Sequence, residues 1–253
     1  HIKAGDFYEI NLAQAFVAED VSITPQAVFK RLMEISPVPF GAYIRFGEKH
    51  LICASPERFL QRQGNTLRSQ PIKGTAPRSQ DPQEDELHAT YLRESLKERA
   101  ENVMIVDLTR NDLNRSCDPF SVQVPHLFEI QAFPQVYQMV STVEGQKRPE
   151  VSNADIWANT FPPGSMTGAP KVKTMEMIDY YEPIARGVYA GSAGYIKPNG
   201  DFDWNVIIRS LVYDAETKRL CYHVGGAITY DSDPAAEYAE TLLKAKAIRK
   251  IWA

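Results

Sequence analysis

Seven segments of this chain alternate apolar and polar residues at period two, and short turns pair most of them off. "FGAYIRF" and "HLICAS" flank Gly47-Glu48-Lys49, and "ERFLQRQ" and "TLRSQPI" flank Gly64-Asn65. Further on, "GSAGYIK" and "DFDWNVIIRSLVY" flank Pro198-Asn199-Gly200, and "RLCYHVGGAITY" follows Asp214-Ala215-Glu216-Thr217. A parallel connection needs a crossover of about a dozen residues or more, so these strands must pair antiparallel. Helical periodicity fills other stretches, at 25–35, 84–103, 170–181 and 234–251. Runs of strands followed by long helices predict an α+β fold with helices on the outer faces of the sheets. No shift of composition marks a linker, so residues 1–253 are expected to form one domain.

Composition narrows the class. Of 253 residues, 43% are hydrophobic and 24% charged, values of an ordinary globular protein. A net charge of −4 argues against a general nucleic-acid binder. No apolar run reaches the length of a membrane span and no signal peptide opens the chain. Cys53, Cys117 and Cys221 are far apart and read as buried thiols of a reducing, cytoplasmic protein. "HIKAGDFYEINLAQAF" runs into strand with little lead-in, which suggests a chain cut on its N-terminal side from something longer.

Several positions fit their surroundings poorly. In "PIKGTAPR" a lysine, Lys73, closes a strand where an apolar residue would be cheaper. Its ammonium either points at water or is a catalytic amine. In "EDELHATYLRESLKERAENV", read as one helix, Leu92, Leu96, Ala100 and Val103 form an apolar stripe. Glu94, Glu98 and Glu101 then lie opposite, where like charges repel slightly unless a cation joins them. The last helix repeats the pattern, with Asp233 as N-cap and Pro234 at its first position. Glu237, Glu240 and Lys244 share one side of it, and Ala235, Ala239, Leu242 and Leu243 another. Two E-x-x-E pairs are either solvated faces or hard oxygen ligands for Mg²⁺.

"FPPGSMTGAPKVKTMEMI" is a Gly-rich loop opening a helix at Pro170, either a tight loop or an anion site, and its spacing is not that of a Walker loop. Arg209 lies in the apolar run "NVIIRSLVY" and must find an anion, from an internal carboxylate or a ligand. Gly225 and Gly226 late in a strand leave bare backbone that a ligand can approach. "VDLTRNDLNR" reads as an ion-pair and capping network, and Glu57 in "SPERF" as a surface glutamate or a general acid.

Taken in order, "GDFYEINLAQ", "ASPERF", "PIKGT", "ERAENVMIVDLTRND", "FPPGSMTGAPK", "GSAGYI", "IIRSL", "VGGAI" and "EYAETLLKAKAI" resemble the chorismate-utilising enzymes along nearly the whole chain. The resemblance implies antiparallel sheets packed as a β-sandwich with helices on the outer faces. It also implies Mg²⁺ bound by Glu101 and Glu240, with Glu98 and Glu237 orienting its waters or completing its shell. Arg209 and Tyr195 would hold the enolpyruvyl carboxylate, with Gly225, Gly226 and Ala227 beside them. Lys244 would add positive charge, and Gly74, Thr75 and Thr167 would line the ring site. Glu57 would be the general acid.

Anthranilate-forming members resemble "PIAGT" at this place, whereas lysine resembles the branch that forms 4-amino-4-deoxychorismate. In that branch the lysine is similar to a nucleophile that adds to the ring at C2 and expels the 4-hydroxyl, after which ammonia enters at C4. Such a lysine must be neutral, and desolvation and a nearby cation both lower its pKa from about 10.4. A glutaminase partner supplying ammonia is implied as well. Two positions depart from the pattern: Glu9 stands where glutamine is usual, and Gln138 where histidine is common. At Glu9 a carboxylate would either help deprotonate Lys73 or incoming ammonium, or be rotated away from the site. The rival readings are anthranilate, isochorismate or salicylate synthesis, or a non-catalytic chorismate-binding module.

Overall fold

The computed structural model describes residues 1–134 and 136–252. In chain order it contains β1 (Glu9–Ala18), α1 (Pro25–Ile35), β2 (Phe40–Phe46), β3 (Lys49–Ser55), β4 (Arg58–Gln63), β5 (Thr66–Gln70), β6 (Ile72–Pro77), α2 (Pro82–Glu94) and α3 (Leu96–Asn114). There follow β7 (Gln123–Ala132), β8 (Val136–Gln146), α4 (Asn153–Thr160), β9 (Gly168–Ala169) and α5 (Lys171–Tyr181). The remainder is β10 (Gly194–Ile196), β11 (Phe202–Asn205), β12 (Ser210–Asp214), β13 (Arg219–Ile228), α6 (Pro234–Lys244) and α7 (Lys246–Arg249). Antiparallel sheets with helices make this an α+β chain, as the short turns require. No helix among the described residues is long and apolar enough to cross a membrane.

The chain divides into two compact units. The first comprises His1–Pro56, Val172–Ala193 and Asn205–Ala253. Its strands run in the order β2-β3-β12-β13-β1, each pair antiparallel. The β2/β3 turn holds Gly47 at φ +60, a left-handed value that glycine adopts without strain. Pro25 starts α1, which lays Val28 and Leu32 against Ile52, Ala54, Leu211, Tyr213, Leu220 and Ile248.

The second unit comprises Glu57–Lys171 and Gly194–Trp204. Its strands run β10-β11-β4-β5-β8-β6, and β7 also pairs with β8. Ala76, Leu92 and Met139 form a small core there, flanked by Phe128, Ile130 and Tyr137. Asp81 caps α2 by accepting from the backbone of Gln83 and Glu84, with Pro82 next.

Three expected elements break. The helix read over 84–103 is two helices: Ser95, extended at ψ 113, ends α2, and its hydroxyl accepts from Glu98 N to start α3. Glu94 therefore leaves the row of glutamates. The stripe Leu92, Leu96, Ala100, Val103 is not the buried one either, since Leu96 is 82% exposed and Val103 46%. The run 202–214 is not one strand. Arg209 sits at a bend between β11 and β12 with φ +50, outside any strand. The last helix stops at Lys244, and a short α7 follows.

Candidate active site

The second unit gathers Lys73, Gly74, Glu57, Glu98, Glu101 and Thr167. On β6, Ile72 faces Val140 and Thr75 faces Gln138, so Lys73 and Gly74 together oppose Met139. That extra residue is a β-bulge, a device that re-aims side chains. Lys73 is 9% exposed, which rules out an amine lying in bulk water. Gly74 has φ +93, and a Cβ there would lie 2.9 Å from Glu98 Oε2 and 3.0 Å from Leu92 Cδ1. Glycine at 74 thus lets the first turn of α3 close on the bulge. Thr75 beyond it is exposed.

The inward line of α3 is polar where an ordinary amphipathic helix is apolar. Glu101, Asn102, Thr109 and Asp112 are buried alongside Ile105, Val106 and Leu113. Lys97 Nζ stands 3.8 Å from Glu101 Oε1. Asn102 donates to Met139 O at 3.4 Å and accepts from Ser141 Oγ at 2.5 Å, which joins α3 to β8.

Glu57, just before β4, is 4% exposed and accepts from Ser165 Oγ at 2.7 Å. The surface reading of Glu57 is therefore wrong. Ser165 belongs to the Gly-rich loop 161–170. Thr167, 2% exposed, donates its hydroxyl to Gly164 O at 3.2 Å within the same loop. At the loop's end, Lys171 Nζ meets Asp112 Oδ2 at 2.6 Å, Thr160 O at 2.9 Å and Pro162 O at 2.8 Å. Burial pushes the Asp112 carboxyl up and the Lys171 ammonium down from their ordinary values, and their mutual attraction opposes both shifts. The expected ion-pair network of 106–115 is thus real but divided, since the Asp107–Arg110 pair, at 2.9 Å, lies at the surface.

Tyr195 pairs with Asp203 across β10 and β11, and Asp203 in turn binds Arg58, the residue after Glu57. Tyr195 is 55% exposed on the edge strand β10 and borders a cavity of about 110 Å³ with Arg62, Lys197 and Asp203. None of the other expected site residues lines that cavity.

The first unit gathers Glu9, Gly225, Gly226, Ala227, Glu237, Glu240 and Lys244. On β13, Gly225, Gly226 and Ala227 pair with Ala13, Leu12 and Asn11 of β1. A Cβ on Gly225 would lie 2.3 Å from Leu12 O, so this glycine is required by the close approach of β1. Gly226 differs: its Cβ position lies 3.7 Å from Lys244 Nζ and 3.8 Å from Glu237 Oε2. The buried line of α6 is Glu237 and Thr241, while Leu243 is 63% exposed, so this helix too turns a carboxylate inward. Asp233 caps α6 as its sequence predicts, accepting from Ala236 N at 2.9 Å. Glu237 Oε1 accepts from Ser232 Oγ at 2.8 Å. Lys244 Nζ donates to Gly225 O at 3.2 Å and pairs with the exposed Glu240 at 2.8 Å. Glu9 is fully buried at the start of β1. Arg209 is half-buried, and its left-handed backbone is a conformation that a non-glycine residue adopts only under constraint.

Sequence reasoning missed Ser165, Ser232, Asn102 and Lys171. Polar residues interrupting the apolar period of α3 could have pointed to Asn102. Nothing local marks Ser165, whose partner lies 108 residues away.

Comparison with known proteins adds four findings. A family model described as chorismate binding enzyme matches residues 1–250. The chain is 44% identical to aminodeoxychorismate synthase component 1 of Klebsiella aerogenes over 98% of its own length and 54% of that protein's. It is 41% identical to the chloroplastic aminodeoxychorismate synthase of Arabidopsis thaliana over 98% of its length and 27% of that protein's. Among solved structures, anthranilate synthase component I from Streptococcus pneumoniae superposes with a TM-score of 0.87 at 36% identity, over 97% of this chain and 54% of that one. The chain thus spans about half the length of these two bacterial proteins and about a quarter of the plant one.

Proposed function

This chain belongs to the family of chorismate-binding enzymes, and on that premise we propose that it carries the amination of chorismate by ammonia to 4-amino-4-deoxychorismate and water. The observation that carries this reading is Lys73, buried at a β-bulge beside a glycine with left-handed backbone. The curated relatives named aminodeoxychorismate synthase support the same product over anthranilate.

The proposed chemistry balances in two displacements. The neutral Lys73 amine forms a bond to ring C2, the ring double bonds shift toward C4, and the C4–O bond breaks. Hydroxide is a poor leaving group, so Glu57 gives it a proton and it departs as water. Ammonia then bonds to C4, the double bonds shift back, and the C2–N bond to Lys73 breaks. Ammonia sheds a proton to become the product amine, and Glu57, left as carboxylate, is its acceptor by proton balance. Ser165 holds Glu57 in one orientation throughout. Glu9 is proposed to help deprotonate the amine nucleophiles. Arg209, Tyr195, Gly226, Ala227, Thr75 and Thr167 are proposed to contact substrate. Gly225 is left to the packing of β1.

Mg²⁺ is proposed as cofactor. Among the described residues no three His, Cys, Asp or Glu side chains gather into a metal cluster. Mg²⁺ does not need one, since it commonly takes one or two carboxylates and fills its shell with water and substrate oxygens. Glu101 and Glu237 are buried carboxylates, donors of the hard type Mg²⁺ prefers. We assign Glu101 and Glu240 as ligands, with Glu98 and Glu237 orienting bound water. When bound, the ion would supply positive charge for the ring carboxylate. The word component in the Klebsiella relative's name supports a second component, which we propose to be a glutaminase supplying ammonia.

The test is covalent. With chorismate and no ammonia, the whole-protein mass should rise by chorismate less water, and Lys73→Ala should show no rise. In that variant turnover should fall on the order of 10³-fold or more with thermal stability unchanged. Normal turnover in Lys73→Ala would sink the nucleophile assignment.

A further inference from the structure

The Gly-rich loop is fastened in a way that its glycines do not explain. It leaves α4 at Thr160 and enters α5 at Lys171. The Lys171 side chain turns back across that opening and donates to the carbonyls of Thr160 and Pro162 while pairing with Asp112. The ammonium therefore ties the loop's two ends together and both ends to α3. Thr160 is the last residue of α4, so its carbonyl is one of the helix's orphan acceptors, where a cation is favoured. Asp112 lies in the last turn of α3, where a carboxylate opposes the helix dipole unless a cation meets it.

A second seat lies one turn earlier on α3. A Cβ on Gly164 would sit 2.9 Å from Leu108 Cδ2, so this part of the loop lies directly on the helix. Between the two seats is Ser165, 6% exposed, donating to Glu57. Burying a lysine and an aspartate costs desolvation that an apolar closure would avoid. The loop's position on α3 is what this pair secures.

We propose that Lys171, with Asp112, is a positioning residue for the reaction: it closes loop 161–170 on α3 and so holds the Ser165 hydroxyl against the Glu57 carboxylate. The inference rests on the acid role given to Glu57 above, and it carries its own readout. A hydroxyl donating to a carboxylate favours the ionised form and lowers that group's pKa. Loosening the loop therefore raises the pKa of Glu57. A general acid works while protonated, so the alkaline limb of the kcat profile moves to higher pH.

The test uses Ser165→Ala and the double variant Asp112→Asn/Lys171→Met. The double variant removes both charges of the pair together, whereas either single change removes only one of them. With ¹³C-carboxyl-labelled glutamate, the Glu57 resonance is identified by its absence in Glu57→Gln and titrated in each variant. The Glu57 midpoint should rise in both, the alkaline limb should follow it, and kcat should fall about 10-fold, part of the 10²- to 10⁴-fold that a general acid contributes. Combining all three changes should move the midpoint no further. A double variant whose midpoint equals the wild type's, or adds to that of Ser165→Ala, overturns the inference. A midpoint that rises while the kcat profile stays fixed upholds the positioning by Lys171 and overturns the acid role of Glu57.

Discussion

At position 74 one absent side chain decides how closely a helix can meet a strand. Its φ of +93 belongs to glycine, and its missing Cβ leaves the space that Glu98 and Leu92 approach. Gly74→Ala should therefore lower unfolding stability by about 1–3 kcal/mol from the backbone alone. Because Glu98 must also shift, the apparent affinity for Mg²⁺ should fall. Urea unfolding and a Mg²⁺ titration of turnover check the two effects, and a variant as stable as the wild type would show that the bulge tolerates Ala. Lys73 was legible in the sequence because a charge beside a Gly-Thr turn is the wrong residue for its setting, whereas Glu57 was legible only through the resemblance carried by "ASPERF". Ser165 was not, because a serine in a Gly-rich loop is unremarkable until the fold brings a partner to it. Arg209 was legible as a residue but misplaced, since apolar neighbours predict strand and do not reveal a left-handed turn.

Helices α2 and α3 show how an element can be read correctly in kind and wrongly in extent. Ser95 is both a helix end and a helix start, and a single periodicity drawn through it put the buried face on the wrong side. In α6 too the buried positions are polar, Glu237 and Thr241, while Leu243 is exposed, so Glu101 and Glu237 both turn inward. The docking of α2 gives a prediction at this scale. Arg78, just past β6, binds Asp85 through Nε and Nη2 at 2.8 Å each, and Tyr137 of β8 donates to the same carboxylate at 2.6 Å. The Arg78 and Tyr137 hydrogen bonds hold the Asp85 carboxyl far below its ordinary 3.8. A depressed folded pKa means stability that is complete above the unfolded value and lost as pH falls through and below it. Between about pH 4 and pH 2, unfolding stability should drop more steeply in the wild type than in Asp85→Asn. Equal slopes would show that the pair contributes nothing.

At the scale of the molecule, the antiparallel class followed from turn length alone, because turns of a few residues leave no room for a crossover. Nine motifs in order carried the family, which the match over residues 1–250 bears out. What the sequence could not show was the division into two compact units, since strands consecutive in the chain, β11 and β12, pair in different sheets. The candidate residues divide with them, Lys73, Glu57 and Glu101 in one unit and Arg209, Glu237 and Lys244 in the other. The direct measurement for such a chain is the identity of its product. Chorismate and ammonium incubated with the protein, with and without Mg²⁺, and resolved by mass spectrometry should yield 4-amino-4-deoxychorismate only in the presence of Mg²⁺. Anthranilate, isochorismate or salicylate as the product, or amination that proceeds equally without the metal, would contradict the account.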